Sequence, residues 1–168
     1  MTARQYPDNK LTVLVAIIFL VGVISCTNLN AQDQHAKLSG FDVSELQIVT
    51  QDARQLRFTV YLAISKEQRA QGLSFVTDLP SDYGMLFVFP ERRRINMWMK
   101  DTPSPLDLLF IDKKGQITKI VSDTTPNSTT IITSDDEASA VLEVNAGTAR
   151  RLHIVTGDRV DHPLLKQK

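Results

Sequence analysis

Residues 84–112 constrain the fold of this chain more than any other stretch. They hold the single tryptophan and three of the four methionines, and they mix apolar runs with charged residues and prolines. Short apolar runs bounded by glycine and proline are typical of buried β-strands. The stretch therefore predicts two or three core strands, and the loops that join them would carry Lys100, Asp101, Thr102 and Asp107.

The remaining sequence predicts the same kind of architecture. Residues 56–62 alternate strictly between apolar and polar side chains, which is typical of a half-buried strand. Residues 106–112 and 116–121 predict a hairpin around a turn that contains Gly115, and residues 140–144 predict another core strand. We therefore predict a mainly β domain, which is an antiparallel β-sandwich or a partly closed barrel with one or two short helices.

Local signals predict where several of these elements begin and end. Pro90 is expected to end the strand that begins at Met85, because proline has no N–H for a sheet ladder. Residues 95–99 predict the next strand. Ser65 begins a capping box and predicts a two-turn helix. Gly72 would end that helix in a left-handed conformation, and Thr148 is expected to cap a second short helix.

The first 26 residues predict a separate targeting unit. Residues 11–24 form an apolar run without a charge, and a run of this length is shorter than the roughly 20 residues that span a bilayer. It suits the apolar core of a signal peptide. Ser25 and Cys26 follow aliphatic residues and resemble the lipobox of bacterial lipoproteins. Lipid attachment after cleavage before Cys26 would also explain the only cysteine, whereas the alternatives are an uncleaved anchor or an ordinary signal peptide.

The predicted organisation has three parts: a lipoprotein-type signal peptide over residues 1–26, a flexible polar tether over residues 27–40, and one β domain over residues 41–168. Thr27 is not the aspartate associated with inner-membrane retention in enteric bacteria, which favours the outer membrane in a host that has one. We therefore expect an exported protein that is lipid-anchored to the cell envelope and faces the periplasm. The formal net charge of zero argues against nucleic acid as a partner.

Several motifs of the predicted domain follow the order and spacing of a known family. They are EQRAQGL, GMLFVF, WMKDT, PLDLLFID, LEVNAG and a late GD pair. Over residues 45–162 the chain resembles the bacterial and archaeal family DUF192, a domain of unknown function. The resemblance implies a compact, jelly-roll-like, all-β domain that is often exported, and it brings no settled activity. Ser74 and Met97 depart from the usual family pattern, which indicates altered packing.

Three charged residues fall within otherwise apolar segments: Lys100, Asp107 and Glu143. Charges in such places are costly unless they are paired. In one interpretation, Lys100 or Arg69 forms an ion pair with Asp107 or Glu143 and the pair fixes the strand register. In the other, these groups converge at the mouth of the sandwich and bind a polar ligand.

Two neighbours of Lys100 could take part in such a site. Trp98 is a candidate platform for a sugar or another flat ligand, and the alternative is a core tryptophan whose N–H bonds a carbonyl. Thr102 could donate to a ligand or simply cap its loop. If the site were catalytic, one carboxylate would be the general base and Lys100 would stabilise developing negative charge.

Other site chemistries find little support in the sequence. The histidines His35, His153 and His162 lack ligand spacing and no second cysteine exists, so we predict no metal. Nucleophile motifs and phosphate-binding glycine loops are also absent, and we predict no cofactor. Three functions stay open: binding of a small polar ligand or an envelope partner, an envelope hydrolase or lyase, and a purely structural envelope module.

Overall fold

β-strands dominate the computed structural model, which describes residues 37–166. The strands in that range are β1 (Asp42–Val49), β2 (Gln55–Ala63), β3 (Tyr83–Arg93), β4 (Asn96–Met97), β5 (Leu106–Ile111), β6 (Ile117–Val121), β7 (Ile132–Thr133), β8 (Ala138–Asn145) and β9 (Arg159–Asp161). The helices that lie wholly within it are α1 (Lys66–Gln71), α2 (Thr148–Leu152) and the 3-10 helix Pro163–Leu165.

Seven of these strands form one curled sheet in the order β6-β5-β8-β3-β2-β1-β9. The two edges of the sheet meet where β6 begins, because Gln116 bridges Arg159 and the Ile117 N–H donates to the Asp158 carbonyl over 2.8 Å. The sheet is therefore a nearly closed barrel with a seam. The predicted mainly β, partly closed architecture is confirmed.

One strand pair departs from the predicted antiparallel arrangement. β2 and β3 are parallel, with Thr59 opposite Tyr83, whereas the other neighbouring strands run antiparallel. Two parallel neighbours need a crossover connection longer than a hairpin turn. Residues 64–82 supply that crossover, and α1 lies within it.

The two faces of the sheet bury two separate hydrophobic clusters, since successive side chains of a strand point to opposite faces. The inner cluster takes residues from all seven strands: Ile48, Val60, Leu86, Leu109, Ile117, Leu142 and Val160. The outer cluster takes the alternate strand residues, such as Phe87, Leu108 and Val141, and covers them with loop residues such as Leu73 and Met99. The candidate site lies on this outer side.

Two predicted boundaries on the way to the site are wrong. β3 does not end at Pro90 but continues to Arg93, and its register against β8 shifts between Val88 and Arg93. Proline is tolerated at such an irregularity because no ladder hydrogen bond is lost there. The strand predicted over residues 95–99 is reduced to the two residues of β4, which pair with β7 in a separate small sheet.

The helix ends differ in how well the sequence predicted them. The capping box of α1 is confirmed, because the Gln68 N–H donates to Ser65 Oγ and the Ser65 N–H donates to Gln68 Oε1. Gly72 has a φ of 51° but a ψ of −139°, so it is not in the predicted left-handed helical conformation. Thr148 is the first residue of α2 and not its cap, because Gly147 occupies the N-cap position.

The predicted signal peptide, Cys26 and residues 27–36 of the predicted tether lie outside the described residues, so these predictions stay predictions. Within residues 37–40, Leu38 is buried in the outer cluster, and Gln71 Nε2 donates to the Lys37 carbonyl over 2.8 Å. The folded unit therefore begins no later than Lys37. In the part of the chain that the structure describes, no helix is long and apolar enough to cross a bilayer.

Candidate functional site

A cleft of about 390 Å³ opens on the outer side of the sheet. Buried Phe87 and Glu143 form its floor, and the walls come from α1, the loop after α1 and the loop after β4. The side chains that define its chemistry are Lys66, Arg69, Ser74, Phe89, Arg93, Asn96, Trp98, Lys100 and Thr102. Its volume lies within the roughly 300–1,000 Å³ that small-molecule sites occupy.

Glu143 is the buried acid of the cleft. It lies in β8 opposite Met85 and Leu108, and only 4% of the residue is exposed. Within residues 37–166 no protein group hydrogen-bonds its carboxyl, whose oxygens are open to the cleft. Burial raises the pKa of Glu143 to about 8, so at neutral pH this carboxyl is mostly protonated and offers both a donor and an acceptor to a ligand.

Lys100 and Thr102 lie in the loop after β4, on the cleft wall. The Lys100 ammonium is exposed and has no ion-pair partner among the described residues. Thr102 is buried, and its hydroxyl donates to the Lys100 carbonyl over 3.3 Å while its N–H donates to the Met99 carbonyl over 3.0 Å. Thr102 therefore holds the loop that presents Lys100.

Trp98 is 53% exposed and lines the cleft. The alternative prediction of a core tryptophan is wrong. Its neighbours Met97 and Met99 pack on the outer hydrophobic cluster, and alternation along the extended chain turns Trp98 the opposite way. The only tryptophan of the chain therefore presents an aromatic surface to solvent at the site.

Arg69 is held by backbone carbonyls and not by an acid. Its guanidinium donates to the carbonyls of Ile64 and Val88, the latter over 3.0 Å. It lies 5.1 Å from the centre of the Phe89 ring, and Arg93 lies 5.3 Å from the same ring. The ion pair of Arg69 with Asp107 or Glu143 that one interpretation expected is not formed, and both guanidinium groups line the cleft.

Asp107 is fully buried on the other face of the sheet. Its carboxylate accepts three backbone N–H groups: those of Asp123 over 3.0 Å, Gly147 over 3.1 Å and Ala149 over 2.9 Å. Two of these donors belong to the beginning of α2, so Asp107 supplies the cap that Thr148 was expected to provide. This carboxylate ties the beginning of α2 and the loop after β6 to the barrel.

Lys100, Asp107 and Glu143 were predicted to converge at one site, and two of them do. Lys100 and Glu143 line the same cleft, but Asp107 does not. The reason is strand parity, because Leu108 is the residue opposite Glu143 and Asp107 precedes it by one position. Adjacent residues of a strand face opposite ways, and the apolar residues Leu106, Leu108 and Phe110 already occupy the outer face.

Sequence reasoning missed five polar residues of the cleft: Lys66, Gln71, Ser74, Arg93 and Asn96. Arg93 belongs to a run of three arginines that is typical of a solvated surface loop. Ser74 and Asn96 carry no motif of their own. Ser74 and Asn96 could have been found from their positions in the sequence, because Ser74 closely follows the helix that carries Arg69 and Asn96 closely precedes Trp98.

The histidines within the described residues do not form a metal site. His162 is buried, with Nε2 lying 3.1 Å from Ser44 Oγ and Nδ1 accepting the Leu164 N–H, and burial lowers its pKa. His153 is exposed at the end of α2. Within residues 37–166 no group of three or more His, Cys, Asp or Glu residues could hold a metal ion.

The sequence profile of a known family matches residues 47–162, which is more than half of the 168-residue chain. That family is DUF192, described as an uncharacterized ACR. The chain belongs to the DUF192 family. No curated protein matches this DUF192 member.

Two crystal structures share its fold. A Sinorhizobium meliloti 1021 protein, provisionally described as a transcription regulator, is 41% identical with a TM-score of 0.71, and the match covers 72% of this chain and 94% of that chain. A protein of unknown function from Novosphingobium aromaticivorans DSM 12444 is 30% identical with a TM-score of 0.71, covering 74% of this chain and 88% of that chain. In both relatives the match covers most of the crystallised chain.

Proposed function

We propose that this DUF192 member is a lipid-anchored domain of the bacterial cell envelope that binds a small polar ligand in the cleft. The observation that carries the proposal is Glu143, a buried carboxyl without a protein hydrogen-bond partner within residues 37–166. Its oxygens are open to the cleft, so water or a ligand has to supply the hydrogen bonds that the protein does not. An unpaired carboxyl at the floor of a cleft is suited to a ligand that supplies the missing bonds.

A fluorescence titration tests the binding proposal directly, because Trp98 is the only tryptophan and lines the cleft. The chain from residue 27 onward would be screened against polar metabolites and envelope saccharides. A true ligand should change the Trp98 emission and raise the melting temperature by mass action. Glu143→Leu should abolish the response, whereas Ser139→Ala, outside this cleft, should preserve it. A library that leaves emission and melting temperature unchanged would contradict the proposal.

The proposed anchor rests on the apolar run of residues 11–24 and on Cys26. The expected product in a bacterial host is a protein that incorporates labelled palmitate and sediments with membranes, with the outer membrane favoured by Thr27. Cys26→Ala should remove the label and release the protein from the membrane fraction. Wild-type protein without label would overturn the anchor and leave the ligand proposal intact.

An envelope enzyme is the second candidate, because Glu143 and Lys100 line one cleft. A carboxyl with a pKa raised by burial can act as a general acid near neutral pH. Glycoside hydrolysis, however, uses two carboxyl groups that flank the bond, and Glu143 is the only one in the described lining. Binding without turnover is therefore preferred, and the appearance of product on long incubation with a ligand found in the screen would reverse that preference.

A purely structural module and a docking surface for an envelope protein fit fewer observations. A structural module predicts a sealed core with its charges paired, which describes Asp107 but not Glu143. A protein partner is favoured by Phe75, which is 61% exposed next to the cleft residue Ser74. Phe75→Ser should leave small-molecule binding unchanged under the ligand proposal.

A further inference from the structure

The charges around the cleft are strongly unequal. Four basic side chains line it: Lys66, Arg69, Arg93 and Lys100. None of them forms an ion pair with an acid among the described residues. A cleft lined by one sign of charge attracts ligands of the other sign, because low-dielectric walls focus the field. The whole chain has a formal net charge of zero, so this positive charge is a local property of the cleft.

The cleft also offers hydrogen-bonding groups that the protein does not use. Within residues 37–166 the Ser74 hydroxyl and the Asn96 amide make no side-chain hydrogen bond, and both line the cleft with Glu143. Hydroxyl, amide and neutral carboxyl groups can each donate and accept. Ligand hydroxyl groups can match this set, because they also donate and accept.

An aromatic surface completes the set. Trp98 is more than half exposed on the cleft wall, and the half-buried ring of Phe89 also contributes to the lining. Exposing a tryptophan at a site leaves a large apolar face that a ring-shaped ligand can cover, while the indole N–H keeps a polar handle. A small inorganic anion or an open-chain acid would leave that face uncovered.

We infer that the cleft binds an anionic pyranose, meaning a six-membered sugar ring that bears a carboxylate or a phosphate. The ring covers Trp98, the anionic group faces Lys100 and Arg93, and ring hydroxyl groups bond Glu143 and Asn96. This inference rests on the proposed ligand-binding function and specifies its ligand class.

The test compares anionic sugars with a neutral sugar and with an anion that has no sugar ring. The chain from residue 27 onward is suitable, because the Sinorhizobium relative, covered over 94% of its length, crystallised as little more than this domain. D-glucuronate and D-glucose 1-phosphate would be titrated against D-glucose and inorganic phosphate, with Trp98 emission and calorimetry as readouts. We expect at least one anionic sugar to bind about tenfold or more tightly than either D-glucose or phosphate, a difference of about 1.4 kcal/mol.

Three variants locate the charge selectivity. Lys100→Gln should weaken binding of the anionic sugar several-fold and leave D-glucose binding unchanged, and Lys100→Arg should retain the preference. Lys113→Gln removes an exposed lysine in the β5–β6 turn that does not line this cleft, and it should change neither affinity. Melting temperatures of all three variants report whether the fold is intact.

Each contrary outcome has a distinct meaning. Equal affinity for D-glucose and D-glucuronate would overturn the anionic preference, and equal affinity for phosphate and D-glucose 1-phosphate would overturn the requirement for a ring. If the broad screen yields a ligand but all sugars fail, the inference is wrong and the binding proposal stands. If nothing in either experiment changes emission or melting temperature, both are wrong.

Discussion

Asp107 and Glu143 are buried acids that lie one register position apart on neighbouring strands. The hydrogen-bonding surroundings of their carboxyl groups are opposite. Asp107 lies opposite Val144, and Glu143 lies opposite Leu108 on the neighbouring strand. Asp107 faces the barrel and accepts three backbone N–H groups. Glu143 faces the cleft, and its carboxyl forms no hydrogen bond with a protein group within residues 37–166. Burial alone therefore does not separate a structural acid from a site residue, but the presence of partners does.

The cause of the difference lies in what covers each face. The beginning of α2 brings backbone donors to Asp107, and orphan donors at a helix start favour a carboxylate. Over Glu143 there is an open space bordered by cationic and aromatic side chains. Burial without partners raises its pKa to about 8. Substitutions at the two positions should therefore have opposite effects on stability.

Asp107→Ala should give the largest effect. It leaves three backbone donors without an acceptor, and a buried unsatisfied donor costs about 1–3 kcal/mol, so we expect a loss of about 3–5 kcal/mol in the free energy of unfolding. Urea denaturation measures it. Asp82→Ala, at an exposed acid without a side-chain hydrogen bond, should change stability by less than about 0.5 kcal/mol. An equally small effect at Asp107 would remove the structural half of the comparison.

The pH dependence of stability should show the next largest effect. The folded state holds the Glu143 proton up to a pKa of about 8, whereas the ordinary pKa of a glutamate is 4.5, so the folded state binds more protons than the unfolded state between these two values. Stability is therefore present at low pH and falls as pH rises towards 8, with a slope of up to about 1.4 kcal/mol per pH unit. Urea denaturation at several pH values measures this slope.

A second buried group limits the range in which Glu143 can be observed. Burial lowers the pKa of His162 from 6.5, so its contribution to stability falls as pH drops through that value and is nearly constant only from about one pH unit above it. Glu143 therefore dominates the pH dependence of stability in the window from about pH 7.5 to 8. Glu143→Gln, which has nearly the same shape and no titratable proton, should flatten the curve in that window. A slope that survives this substitution would have to come from another group.

Glu143→Leu should stabilise the protein. It replaces an unpaired buried carboxyl by an apolar side chain of similar size, which is often neutral or favourable, and we expect a gain of about 1–2 kcal/mol at neutral pH by urea denaturation. Ligand binding should be lost in the same variant. Stability that rises while function falls is characteristic of a functional site, and a marked loss of stability would instead show that the carboxyl supports the fold.

Trp98→Ala should have the smallest effect on stability. The side chain is more than half exposed, so its removal should cost less than about 0.5 kcal/mol, in contrast to a buried tryptophan, for which about 3–5 kcal/mol is typical. Binding, measured by calorimetry because the fluorophore is gone, should weaken strongly. A large loss of stability would indicate instead that Trp98 packs in the core.

The sequence predicted much of the fold because the relevant signals are local. Alternation over residues 56–62, the hairpin turn at Gly115 and the capping box at Ser65 each act over a few positions, and each appears as expected. The continuation of β3 through Pro90 depends on a register shift against β8, which is a property of two distant strands. The parallel pairing of β2 with β3 is likewise set by a tertiary crossover.

The site was predictable only in part, for a related reason. Five of the predicted site residues line one cleft: Arg69, Trp98, Lys100, Thr102 and Glu143. They could be predicted because charged or aromatic residues are conspicuous within apolar segments of a sequence. The position of Asp107 depends on which face of β5 is turned outward. That parity was present in the alternation of Leu106, Leu108 and Phe110, but choosing the outward face required knowing where the loops fold back.

Two hydrophobic clusters on opposite faces of a single sheet also bear on how such a domain can diversify. The inner one is shared by all seven strands, while the cleft is built where crossover and loop segments cover the outer one. Mutations in those segments can change ligand specificity without disturbing the barrel. Proteins that descend from one ancestral gene should therefore have similar melting temperatures but bind very different ligands.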